Sequence, residues 1–195
     1  MTRLACFDLD GTLTDRDCFV RFLRAEFGLR RVTARFSRML VSPRTWRNRD
    51  HAKAFMCELF RGQDSATVEA HAREFGAYVV QHWLRDATMK SLEHHRQQGD
   101  HILIVSASLA PYVAAIAELL GVQYVATELS VMSGCYTGGI EGGNCRGIEK
   151  VHRASAFLKT LNIHRSDIEL HAYGDSAGDS ALLEWADYSH WVGKR

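Results

Sequence analysis

The chain has 195 residues and a formal net charge of +1, with 46% apolar and 24% charged residues, as in soluble globular domains. That length builds one sizeable core without disulfides or a structural metal, and 2 prolines with 15 glycines exclude collagen, a proline-rich spacer and a disordered tail. No apolar run approaches the roughly 18 residues of a membrane span, and acidic residues interrupt the N-terminal MTRLACFDLDGT before a secretory signal's apolar stretch develops.

Residues 3–9, RLACFDL, form a short apolar run that ends in DLDGT; the pattern predicts a buried strand entering a tight loop. From Asp15 to about Arg85 the spacing turns helical: Phe19, Phe22, Leu23 and Phe27, then Val32, Phe36, Met39 and Leu40, recur at threes and fours. Pro43 and the turn near Gly62 interrupt that run. The expectation is a helical insert of about seventy residues, 15–85, with 1–14 and 86–195 forming the remaining body.

Alternation follows. Residues 89–99 read as a helix stopped by glycine, His101 to Ser106 as the strongest strand, and 111–121 as a helix with proline at its start and glycine at its end. A short strand is predicted at 124–127, then a glycine-rich hairpin flap over 129–147, with Ser108 as the N-cap of the Pro111 helix. Residues 149–161 read as a helix, Ile168 to Gly174 as a strand, 178–186 as a helix and 188–192 as a last strand. Strands alternating with helices predict an α/β fold: a doubly wound, mostly parallel sheet with the helical insert after its first strand.

Ligands of such sheets bind beyond the carboxyl ends of the strands. There stand Asp8 and Asp10, then Ser106, then Asp175, with Lys150 opening a helix. Carboxylates crowded within 4 Å repel by about 4 kcal/mol per pair at an effective dielectric of 20. A hard cation relieves this, and an all-oxygen donor set suits Mg²⁺ with a substrate phosphate. Lys150 and Ser106 then offer a charge and a hydrogen bond to the phosphoryl group. One aspartate is suited to nucleophilic attack and its neighbour to proton transfer.

The motifs D8-L-D10-G-T12, S106, K150 and G174-D175-S-A-G-D179 occur in this order. They resemble the haloacid dehalogenase (HAD) superfamily of phosphohydrolases, with the insert similar to a C1-type cap. IVSASLAPYVAAIAELLGVQYVATEL followed by CRGIEK resembles subfamily IB, the phosphoserine phosphatase-like branch. The resemblance implies a HAD/Rossmann-like core, magnesium, and an aspartyl-phosphate intermediate on Asp8, which is also a metal ligand. It implies Asp10 as general acid/base and metal ligand through its carbonyl, and Asp175 as a further metal ligand. Thr12, Ser106 and Lys150 would bind the phosphate, with Thr12 also positioning the nucleophile loop, and Asp179 would support Lys150 or a metal-bound water. Phosphoserine phosphatases carry Ser-Gly-Gly where this chain has Ser106-Ala107-Ser108, Asn where it has Gly178, and an early glutamate at the place of Asp17. Asp17 is thus a candidate substrate contact.

The expected reaction is hydrolysis of a small phosphorylated metabolite. Residues 16–53 hold eleven basic residues against Asp17, Glu26 and Asp50. Read with the interleaved Phe19, Phe22, Phe27 and Phe36, this region leaves two alternatives open. One is a lipid-phosphate phosphatase resting on an anionic membrane. The other is a binding module that uses the basic insert. No nucleic-acid motif is present. Five scattered cysteines without a C-x-x-C pair read as reduced thiols of a cytoplasmic protein.

Overall fold

The structure is a computed structural model that describes residues 2–41 and 48–193. Pro43, Arg44 and Arg47 lie outside the described residues. The elements are β1 (Thr2–Phe7), α1 (Phe19–Leu40), α2 (Arg49–Cys57), α3 (Ser65–His82), α4 (Asp86–Gln97), β2 (His101–Leu109), α5 (Ala110–Leu120), β3 (Gln123–Met132), β4 (Cys135–Glu141), α6 (Ile148–Thr160), β5 (Ile168–Gly174), α7 (Ser180–Trp185) and β6 (Tyr188–Trp191). Among them no helix is long and apolar enough to cross a membrane.

The six strands form one sheet in the order β4-β3-β2-β1-β5-β6, parallel except for the antiparallel β3–β4 pair. The predicted α/β class holds. Period-two alternation sends side chains to both faces: Ala5, Phe7, Ile102 and Ile104 join one buried cluster, and Leu4, Cys6, Leu103 and Val105 the other. The chain winds from β1 to β2 and β3, then crosses back to place β5 on the other flank of β1. Strand order reverses at β1, and that switch point opens a crevice at the carboxyl ends.

Two expectations are corrected. β3 runs to Met132, well past Thr127, so the glycine-rich flap is continuous with the sheet; its turn is Ser133-Gly134, both at positive φ, as tight hairpins require. β2 extends past Ser106 to Leu109, with a register shift between Val105 and Leu109. A shift of this kind re-aims the side chains within it, and it contains Ser106 and Ser108.

The insert region supplies α1 to α3. Gly28, at φ 76 and ψ 155, breaks α1 into two helical halves. That conformation belongs almost wholly to glycine and costs other residues about 1–3 kcal/mol. Nothing lies within 4 Å of a Cβ built there, so the penalty is conformational. Gly28→Ala is expected to destabilise the chain by about 1–3 kcal/mol; thermal and urea denaturation measure it.

The insert shares its core with the sheet. Phe22 and Phe75 approach the ring of the α5 residue Tyr112 at 4.9 and 5.5 Å, inside the cluster that also holds Phe7 and Ile104. Phe22 and Phe27 are buried, and Phe19 and Phe36 pack against the same cluster. Phe22 and Phe27 therefore face the protein interior, while Phe19 and Phe36 are half-buried at its edge; none of the four forms an exposed apolar stripe. The helical period explains this: residues three and four apart share a face, and arginines occupy the opposite one.

Candidate active site

β1, β2 and β5 are adjacent, and each delivers polar groups to the crevice. A cavity of about 490 Å³ is lined by Asp8, Asp10, Gly11, Ser106, Lys150, Asp175 and Asp179, together with Asp17, Arg49 and Arg146. Residues separated by up to 171 positions in the sequence meet there.

At its floor Lys150 Nζ donates to Asp8 Oδ1 at 2.6 Å and to Asp179 Oδ1 at 2.5 Å. All three are buried. Burial pulls down the pKa of Lys150, but the two carboxylates outweigh it and hold the amine above its ordinary value. Burial also drives Asp8 up to about 7, against the opposing pull of Lys150. Asp179 goes the other way. Its burial cost is overcome by Lys150 and by hydrogen bonds from the Ser176 backbone N–H and hydroxyl. The same cation therefore has opposite net outcomes at its two partners, because Asp179 accepts additional hydrogen bonds while Asp8 also faces the charges of Asp179 and Asp10.

Carboxylate oxygens of Asp8, Asp175 and Asp179 lie within 4.8 Å of one another. Three carboxylates crowd there, and the donors are all oxygen; both properties fit a hard divalent cation such as Mg²⁺. Gly11 contributes by what it lacks: at φ +86 its Cβ would stand 2.3 Å from Asp175 Oδ2. Glycine lets the first loop and the third acid share the space.

Asp10 is held differently. Its Oδ1 accepts the Cys18 N–H at 2.8 Å, and its Oδ2 accepts the Ser108 hydroxyl. Burial and the charge of Asp17 raise its pKa, opposed by those hydrogen bonds. Its carboxylate stands outside the Asp8–Asp175–Asp179 group, oriented by Ser108. This corrects the reading of Ser108 as a helix cap: α5 starts without a side-chain cap, because the hydroxyl is turned toward the site. A bulge in β2 is not visible in residue types, so the sequence points to the nearer helix.

Ser106 is buried and accepts the Ser108 N–H at 3.0 Å. Thr12 is fully buried below the loop, outside the described cavity lining; its carbonyl accepts from Thr88, and its hydroxyl has no partner among the described residues. Asp17 is exposed at the rim. The sequence reading overlooked Lys53 of α2, whose ammonium donates to the carbonyl of Ala107 and to Asn144 Oδ1. Asn144 in turn donates to Asp50 at 2.6 Å, tying the insert to the strand segment that carries Ser106 and Ser108. A lysine inside a basic run carries no sequence signal that separates it from its neighbours.

The chain is 34% identical over 194 residues to Protein CicA of Caulobacter vibrioides, covering 94% of this chain and 83% of that protein. A protein of unknown function from Bordetella pertussis Tohama I superposes with a TM-score of 0.82 at 29% identity, covering 97% of this chain and 89% of the other. A phospho-aspartyl intermediate analogue of phosphoserine phosphatase shares the fold with a TM-score of 0.65 at 20% identity, covering 96% and 85%. The family model for haloacid dehalogenase-like hydrolases matches residues 5–184. With its acids assembled at the switch point of a sheet of this topology, the chain belongs to the haloacid dehalogenase-like hydrolase family.

Proposed function

We propose that this protein is a magnesium-dependent phosphomonoesterase that works through an aspartyl phosphate on a small phosphorylated metabolite. The observation that carries this reading is the convergence of Asp8, Asp175, Asp179, Lys150 and Ser106 on one crevice. Asp8, Asp175 and the Asp10 carbonyl hold the metal, which when bound neutralises carboxylates and phosphoryl oxygens. Lys150 and Ser106 bind the phosphate, Thr12 supports the loop from below, and Asp179 holds Lys150 in place. Asp17 at the rim is a contact for the leaving group.

In the first half-reaction an Asp8 oxygen bonds to phosphorus, the ester P–O bond breaks, and the leaving oxygen takes its proton from Asp10. In the second, Asp10 takes a proton from water, the water oxygen bonds to phosphorus, and the acyl–phosphate bond breaks to free orthophosphate and Asp8. Positioning and fixed charge supply most of the rate gain. Because the insert shares the core, substrate entry is a local movement rather than a swing of the whole of 15–85. The insert acts as the cap, with 1–14 and 86–195 as the catalytic body. None of Phe19, Phe22, Phe27 and Phe36 is exposed as a membrane-resting stripe would require, and five free cysteines fit the cytoplasm.

Asp10→Asn tests the sequence of steps. Labelled aryl phosphate should leave phosphate on Asp8 at a reduced rate, and the adduct should persist, since proton transfer contributes about 10²–10⁴-fold in rate. Label on any other residue overturns the assignment.

A further inference from the structure

A second cavity, of about 480 Å³, opens off the crevice and shares Asp10, Asp17, Arg49, Ala107 and Arg146 with it. That volume is within the usual range for a small-molecule site. Beyond the shared residues its described lining sets Lys53, Ser108 and Asn144 on one side and a hydrocarbon wall of Phe19, Val20, Phe36, Met39 and Met56 on the other.

The break at Gly28 makes this wall. Phe19 and Phe36 are seventeen residues apart, about 25 Å along a straight helix, yet they line one cavity. The polar groups in the wall are already engaged. Lys53 is committed to Ala107 and Asn144 and lies 5.1 Å from the Phe19 ring centre. Asp10 has accepted Cys18 and Ser108. An amino or carboxylate group lodged against Phe36, Met39 and Met56 would lose water contacts without a replacement partner, which disfavours a charge there.

We infer that the alcohol released by this enzyme carries an apolar body, seated on Phe19, Val20, Phe36, Met39 and Met56 while its phosphate occupies the Asp8–Lys150 crevice. The inference rests on the phosphomonoesterase reading and names its substrate class. Methionine suits such a wall because its thioether adapts to different hydrocarbon shapes. The charged residues common to both cavities lie at the junction, next to the phosphate end.

The test is a homologous series. With magnesium present, kcat/KM for methyl, ethyl, butyl and hexyl phosphate should rise by up to about four-fold per methylene, the value for full burial, mainly through KM. Hexyl phosphate should exceed phosphoserine. In parallel, Kd values of the matching alkylphosphonates, measured by calorimetry, should fall with chain length, a readout that does not depend on turnover. Phe36→Ser should flatten both series. A flat series in the native enzyme, or phosphoserine as the better substrate, overturns the inference and leaves the phosphomonoesterase reading standing. Absence of hydrolysis with every ester, including p-nitrophenyl phosphate, overturns that reading instead, while the phosphonate series still decides whether the wall binds hydrocarbon. Monomeric hexyl phosphate and a phosphatidate in vesicles serve as the two sources of an apolar alcohol. Where the alkyl series rises, whichever of the two turns over faster identifies the source.

Discussion

Asp8→Asn is expected to lower hydrolysis of p-nitrophenyl phosphate in magnesium by about 10⁴-fold or more, the scale on which loss of a nucleophile removes covalent catalysis. An amide oxygen is a poor nucleophile toward phosphorus and carries no charge for a cation. The variant should still fold, because Lys150 retains Asp179 at 2.5 Å and the neutral amide removes the burial cost that lifts Asp8 to about 7. Steady-state release of p-nitrophenol, beside a thermal melt that confirms folding, measures the effect. Turnover close to that of the unmodified protein would end the assignment of Asp8 as nucleophile.

Lys150→Met should remove both activity and stability. It leaves Asp8 and Asp179 buried beside each other without their cation. Removing one partner of a buried ion pair costs about 3–5 kcal/mol, a fall of roughly 6–20 °C in Tm for a chain of this size. The phosphate also loses its positive charge. Magnesium should restore part of the Tm, since a cation offsets the same repulsion. Combining Lys150→Met with Asp8→Asn should cost less than the two changes added, because the second substitution removes a charge the first one stranded. Additive losses would show that the three groups are not coupled. Calorimetric melts with and without magnesium measure both points.

Much of this site is legible in the sequence. Asp8, Ser106 and Asp175 stand out because each closes or follows an apolar run that only a buried strand explains. Lys150 and Asp179 are different. Their types and local patterns match ordinary helix residues, and only the resemblance of four ordered motifs singles them out. Ser108 shows the limit of local reading. It precedes a proline-started helix and so looks like a cap, but its partner is Asp10, 98 positions away. Gly28 lies inside a helical pattern that continues on both sides of it, so periodicity does not reveal the break.

By itself the amino-acid sequence determined the α/β class, the placement of the helical insert and the acids at the strand ends, because burial imposes a local period on each element. Only the tertiary structure decided that Asp8 and Asp179 meet at one lysine, that Phe22 and Phe27 turn into the core, and that a broken helix brings Phe19 and Phe36 to one wall beside the crevice. These outcomes depend on contacts between residues far apart in the chain, where neither period nor propensity carries information.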